Sequence, residues 1–270
     1  MSDEPRSADE LAGLFTACGG TDLDYLRFHF PRHADTKRRV LANWNRANGM
    51  RVLDVGAHWL HQAVLYATDG FQVSALDLPL TLAADNVRAV AGAYAIRLLP
   101  NADLEHPSAL RQIEDGHFDL VLMTEVIEHL AFNPVALWRE IYRVMRPGAR
   151  LVVTTPNYYA LRATVRRWQR GVRGLGGGIA VGDILTLKTL GHHWKEYSRA
   201  ELRRYFGLLS PDFRCARAQL VGVPFPRQAM RLRDRAVSLL ERFLPVLRPG
   251  IHIEIDLPAK QHGIVIEPRW

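Results

Sequence analysis

Five short apolar runs, each closing on a polar residue and most followed by a stretch of helical spacing, constrain this chain more than anything else in it. "MRVLDVG" is a buried strand entering a turn, and "LHQAVLYATDG" has helical spacing with a terminal glycine. "FQVSALDLP" is a second strand that finishes on an acid, Asp77. The alternation continues with a helix near 80–91, strands near 96–100 and 118–123, and a helix over 134–145 that opens on Pro134. A turn and a fifth strand follow in "RPGARLVVTTP". Repeated strand–helix–strand units imply an α/β fold with a mostly parallel, doubly wound sheet covered on both faces. Ligands of such sheets bind beyond the carboxyl ends of the strands, near the switch point. Asp54, Asp77, Asp103, Glu125 and Thr155 all fall at or just after strand ends, so they line one edge.

At 270 residues, with no Ser/Pro-rich linker, the chain suits one large domain. Residues 7–47 read as helical, which makes 1–48 an N-terminal helical cap and 49–270 the main domain. Two cysteines, Cys18 and Cys215, give neither a disulfide framework nor a zinc-like spacing. The acidic, polar amino terminus is unlike a signal peptide, and no apolar run approaches a membrane span. A cytoplasmic protein is expected. The net charge of +7 is local: Ile141–Gly182 holds eight arginines and no acid, whereas the rest of the chain has 27 basic and 28 acidic residues. A local excess points to an anionic partner at one place, or to a solvated helix face.

Two nucleotide-type cofactors suit such a layout. A nicotinamide dinucleotide needs a glycine fingerprint for its pyrophosphate, and the turn "DVGAHWLHQA" offers Gly56 alone. S-adenosylmethionine carries no phosphate; an acid ending strand one, Asp54, reaches its amino group, and an acid ending strand two, Asp77, accepts both ribose hydroxyls. "VLDVGAHWL", "ALDLP", "NADLEH", "FDLVLMTEVIEHL", "LWREIYRVMRPGARLVVTTPN" and "GHHWKEYSRAEL" come in the order and nearly the spacing of class I S-adenosylmethionine-dependent methyltransferases, which the chain resembles over about residues 50–207. The resemblance implies a Rossmann-like, seven-stranded sheet whose last strand, within 251–269, is antiparallel. It implies cofactor contacts from Asp54, Gly56, Ala57, His58, Asp77, Leu78, Asp103, Leu104, Thr124 and Glu125. Where the family's first motif carries further glycines this chain has His58 and Leu60, side chains that would crowd a cofactor.

Glu125, Glu128 and His129 stand at i, i+3 and i+4, so a helix there would put all three on one face. "TEVIEHL", "TTPN" and "GHHWKEYS" look most like two groups within the family: the ubiquinone-biosynthesis type of O-methyltransferase with its small-molecule, lipid and sugar relatives, and the small-RNA 2′-O-methyltransferases. In the latter a Glu-x-x-Glu-His cluster and a later histidine hold a divalent ion. That resemblance implies Glu125, Glu128, His129 and His193 as metal ligands, His193 because Tyr197 follows it by four residues. A cation so held would orient vicinal oxygens and activate one; without it, His129 or His193 is the general base, with Glu128 beside them.

After strand five, residues 157–197 form an arginine-rich helical insertion. Leu161, Val165, Trp168 and Val172 make an apolar stripe beside Arg162, Arg166 and Arg170, and the glycine-rich "GLGGG" follows as a hinge. Such a helix lies on an anionic membrane, covers a polyanionic substrate, or packs its apolar stripe on the domain and turns its arginines to water. "RQAMRLRDRAVSLLERFLPVLRPG" repeats the pattern with Met230, Val237, Leu240, Phe243 and Leu244. The expected activity is methyl transfer to a hydroxyl of a small-molecule, lipid-linked or glycan acceptor, with peripheral membrane contact. Two alternatives stand beside it, RNA 2′-O-methylation and a non-catalytic binding domain whose altered first motif excludes cofactor; no RNA-binding module is visible.

Overall fold

The computed structural model describes residues 7–20, 23–42, 44, 49–176, 178–222 and 232–269. In chain order its elements are α1 (Ala8–Ala17), α2 (Leu23–Ala42), β1 (Arg51–Val55), α3 (His61–Ala67), β2 (Gln72–Asp77), α4 (Pro79–Leu82), α5 (Asp85–Ala93), β3 (Arg97–Pro100), α6 (Ser108–Arg111), β4 (Phe118–Thr124), α7 (Val135–Val144), β5 (Met145–Pro156), α8 (Leu161–Val172), α9 (Val181–Thr186), α10 (Arg199–Leu209), β6 (Arg214–Val221), α11 (Leu232–Phe243) and β7 (Gly250–Leu257). The strands form one sheet in the order β3-β2-β1-β4-β5-β7-β6. β1 pairs in parallel with both β2 and β4, which makes the crevice between β1 and β4 the switch point. β7 runs antiparallel to β5 and β6, as the resemblance implies.

Burial follows the strand period of two. Leu53 and Val55 of β1, with Val121 and Met123 of β4 and Leu151 and Val153 of β5, pack against Trp138 of α7 and Phe206 of α10. Val52, Leu120, Leu122 and Val152 face the other way, towards Tyr66 of α3 and Leu11, Phe15, Leu26 and Val40 of α1 and α2. The two N-terminal helices therefore share a core with the sheet. The helical reading of 7–47 resolves into α1 and α2, with 45–47 outside the described residues, as is Met230 of the second basic segment. The expected helix near 80–91 is two, α4 and α5, interrupted at Ala83 and Ala84. Among the described residues no helix is long and apolar enough to cross a membrane.

The join between β5 and β7 carries a buried ionic cluster. Arg150 bonds Glu254 at 2.7 Å and Asp256 at 2.7 Å, and His252 Nε2 lies 3.0 Å from the second oxygen of Glu254. Removing one partner of a buried pair strands the other's charge. Glu254→Ala, which leaves buried Arg150 with only the partly exposed Asp256 and takes the acceptor from His252, is expected to destabilise the fold by about 3 kcal/mol in urea titration, whereas Arg150→Met/Glu254→Leu, which removes both buried charges and leaves Asp256 with access to water, should recover most of the loss.

Candidate active site

The carboxyl end of β1 runs into a loop with little room above it. Gly56 has φ +74°, and a Cβ on it would lie 2.4 Å from Val126 Cγ2, so glycine is required on both counts. His58 and Leu60 also adopt left-handed backbone, at φ 46° and 67°, each at a cost of about 1 kcal/mol for a residue with a Cβ. The feared crowding does not arise from Leu60, whose side chain is wholly buried in the core. His58 is exposed and stacks on Trp59 and Tyr25, at ring separations of 4.1 and 5.4 Å.

Two acids hold this loop. The amides of His58 and Leu78 donate to the two carboxylate oxygens of Asp77, each at 2.7 Å. Asp54 is buried, accepts Gln62 Nε2 at 3.3 Å on one oxygen, and has no partner on the other. Burial pushes its carboxyl up to about 7, against the hydrogen bond from Gln62. His33 of α2 meets Gln62 Oε1 at 3.1 Å through Nδ1, which connects the N-terminal helix to Asp54 through one side chain. Ala57 is buried, Leu104 packs against the core, and Asp103 turns an oxygen to the amide of His106 at 2.6 Å.

Beyond β4 the chain departs from the expected helix. Glu125 takes φ 56°, and only Ile127–His129 form a single 3-10 turn, so the shared helical face of Glu125, Glu128 and His129 does not exist. Adjacent residues of β5 claim the two glutamates instead: Thr154 Oγ1 donates to Glu125 and Thr155 Oγ1 to Glu128, each at 2.9 Å. Neighbouring strand residues point to opposite faces, so the carboxylates are drawn apart. Glu125 also pairs with Arg32 of α2 at 2.9 Å.

Glu128, His129 and His193 do converge, with one potential ligand atom from each within 4.8 Å of the others. Glu128 is 1 % exposed and its Oε1 has no partner; burial first, then the charge of Glu125, raises its carboxyl to about 8. His129 is held below the usual imidazole range by burial and then by His193. Its Nδ1 lies 3.1 Å from the carbonyl of His192, so that nitrogen carries the proton. His193, edge-on to His129 at 4.8 Å, is held above the usual range first by Glu196, whose carboxylate oxygen is 3.9 Å from Nδ1, an ion-pair distance. His193, Glu125, Glu196 and Arg32 line an open cleft of about 870 Å³ between the strand ends and α8.

Several contributors escape sequence reading. Arg32 is one: its pairing with Glu125 spans 93 positions, and no local pattern encodes it. Tyr25, His29 and His61 gather around His58 and Trp59 through helix packing alone. Glu196 had a readable signal, three residues after His193.

A family profile described as a methyltransferase domain matches residues 25–207. A probable S-adenosylmethionine-dependent methyltransferase of Mycolicibacterium smegmatis is 32% identical over 152 residues, 56% of this chain and 53% of the relative, so the match spans about half of that protein's length. Among solved structures, a chain of the complex between the Haloferax volcanii Trm112 methyltransferase activator and the putative methyltransferase superposes with a TM-score of 0.58 at 19% identity, covering 91% of this chain and 98% of that one. Phosphoethanolamine N-methyltransferase 2 of Haemonchus contortus, solved with S-adenosyl-L-methionine, gives 0.53 at 15% identity over 92% of this chain and 57% of that one.

Two outcomes test this geometry. Gly56→Ala should cost about 2 kcal/mol or more in denaturant titration, from the left-handed φ and the overlap with Val126 together. Burial, with nearby positive charge, lowers His29 and His61 to about 4 and His33 well below its ordinary 6.5. Below pH 6.5 the unfolded chain therefore binds more protons at these sites than the folded one, so their contribution to stability falls as pH drops from about 6.5 to about 4. Asp54 and Glu128, whose carboxyls are raised on folding, act in the opposite sense over the same range, so the readout is the difference from a variant: the wild-type midpoint should fall relative to that of His33→Gln as pH drops across that window, and a constant difference would show that the His33 ring is solvated.

Proposed function

The chain belongs to the methyltransferase-domain family, and from that premise we propose that it transfers the methyl group of S-adenosylmethionine to a hydroxyl of a small-molecule, lipid-linked or glycan acceptor bound in the cleft under α8. The residues at the head of the crevice fit that cofactor. Asp54 is a buried carboxyl with one unpartnered oxygen and, among the described residues, no cation in ion-pairing distance, the requirement an amino group meets. Asp77, fixed by two amides, keeps lone pairs for a ribose diol, and Leu60 leaves the loop clear. These features favour a working domain over one that excludes cofactor. When bound, the cofactor supplies an electrophilic methyl group.

The carrying observation is that His193 lines the cleft with Glu196 facing its Nδ1. Glu196 favours the proton on Nδ1 and leaves Nε2 to accept the proton of an acceptor hydroxyl, while the raised basicity strengthens that acceptance. His129 stands behind it, anchored to the His192 carbonyl and held below the usual imidazole range by burial, and burial likewise raises the Glu128 carboxyl, which weakens its charge beside the deprotonating oxygen. Glu128, His129 and His193 also form a donor set of one carboxylate and two imidazoles that fits a divalent cation; such an ion would act as a Lewis acid on the hydroxyl. Glu125 lies outside that trio and instead fixes Arg32 at the cleft wall.

Label from methyl-labelled S-adenosylmethionine should enter the organic or aqueous fraction of a cell extract. In His193→Ala the rate should fall by about 100-fold or more, with cofactor affinity by calorimetry changed by less than about threefold. Failure of the wild type to bind S-adenosylmethionine or S-adenosylhomocysteine would overturn the reading. Loss of transfer in EDTA, restored by magnesium, manganese or zinc, would assign the trio to an ion; an unaffected rate would assign it to proton transfer alone.

A further inference from the structure

α8 is built the reverse of an ordinary surface helix. An amphipathic helix packs its apolar stripe inward and shows charge to water. Here Val165, Trp168 and Val172 are exposed, Trp168 to 69%, and Ala163 is the helix's one buried residue. Arg162, Arg166, Arg167 and Arg170 line the cleft instead. The helix is not free to roll: Asn157 and Tyr197 bridge the two ends of the insertion, Tyr158 N–H bonds the Tyr197 carbonyl at 2.9 Å, and the Arg167 guanidinium sits 4.0 Å from the Tyr158 ring centre.

The cleft's acids are largely engaged. Arg32 holds Glu125 at 2.9 Å, Arg167 holds Glu196 at 3.2 Å, and Arg39 holds Asp35 at 2.6 Å. Among the described residues neither Arg166 nor Arg170 has a carboxylate within ion-pairing distance; Arg170 donates to the Gly178 carbonyl at 3.0 Å. Guanidinium groups crowded along one wall repel each other until an anion joins them. Arg166 and Arg170 are one helical turn apart, and the lining run from Arg162 to Arg170 extends roughly 12 Å along the axis. One arginine satisfies a carboxylate, whereas forks spaced by turns suit a group with many oxygens over several ångströms.

We propose that Arg166 and Arg170 bind a phosphate or pyrophosphate group on the methyl acceptor, holding the acceptor in the cleft that His193 lines. The inference rests on the reading of that cleft as the acceptor site and names the acceptor's class, a phosphorylated hydroxyl compound. The phosphate is either soluble or carried by a lipid, and the arginines recognise the same chemistry in both.

The test uses the full chain and needs no acceptor. Inorganic pyrophosphate is titrated by calorimetry into wild type and into Arg166→Gln/Arg170→Gln, with S-adenosylhomocysteine binding and circular dichroism measured on both. Pyrophosphate binding weakened at least about tenfold in the variant, with homocysteine-compound affinity and helicity unchanged, is the expected result. Retention of wild type but not the variant on phosphatidylglycerol-containing vesicles, with no response to soluble pyrophosphate, supports the proposal and puts the phosphate on a lipid. A response to pyrophosphate without retention supports it and puts the phosphate on a soluble acceptor. No response to either probe, or equal response of variant and wild type, overturns the proposal. Absent S-adenosylhomocysteine binding beside intact pyrophosphate binding would sink the methyltransferase reading and leave the anion site standing.

Discussion

The polar arrangement of the crevice depends on the register of β4 against β5, which sets Thr124 beside Thr154. With that register, Thr154 and Thr155 emerge side by side at the sheet's edge and point to opposite faces. Each captures one glutamate of the loop after β4. Glu125 is thereby held on the side of α2, where Arg32 completes it, and Glu128 on the side where His129 and His193 gather. A slip of one residue would exchange the two threonines and with them both halves of the site.

The strained and unpaired groups of the molecule concentrate at the same edge. His58, Leu60 and Glu125, three of the four non-glycine residues with left-handed backbone among the described residues, follow the two central strands. Asp54 and Glu128, buried carboxyls with an unpartnered oxygen each, end or follow the same strands. Such features cost stability and persist only where the surrounding structure over-determines them. Here the two packed layers of core supply that constraint: Leu60 is anchored below the loop, and Gly56 is pressed against Val126 above it.

The opposite face of the site is electrostatic. Arg32 comes from the N-terminal helices and the remaining arginines from the insertion, so the cleft is assembled from segments that flank the sheet-forming part of the chain and interrupt it. The helix that brings most of them exposes Trp168 and Val172 outward. Charge placed towards a cleft, with apolar surface towards solvent, is intelligible as a demand of binding and not of folding.

The first five strands and the acids at their ends were readable because a buried strand writes its period and its length directly into the chain, and Asp54, Asp77 and Glu125 stand where those runs stop; the count of seven and the antiparallel last strand came from the family resemblance, and β6 was not placed. The amphipathic stripe of α8 was readable for the same reason, as spacing. Which way that stripe faces was not, because a helix of given pattern can be docked by either side, and the choice lay with Asn157, Tyr158 and Tyr197 at the base of the insertion. The separation of Glu125 from Glu128 was likewise hidden. Spacing of i and i+3 implies a common face only if the segment is helical, and hydrogen bonds from a neighbouring strand outcompeted that helix. Local pattern thus determined the sheet and the residues that reach its edge. Tertiary structure decided which of them meet, because contacts between Arg32 and Glu125, or His193 and His129, are set by packing of elements far apart in the chain.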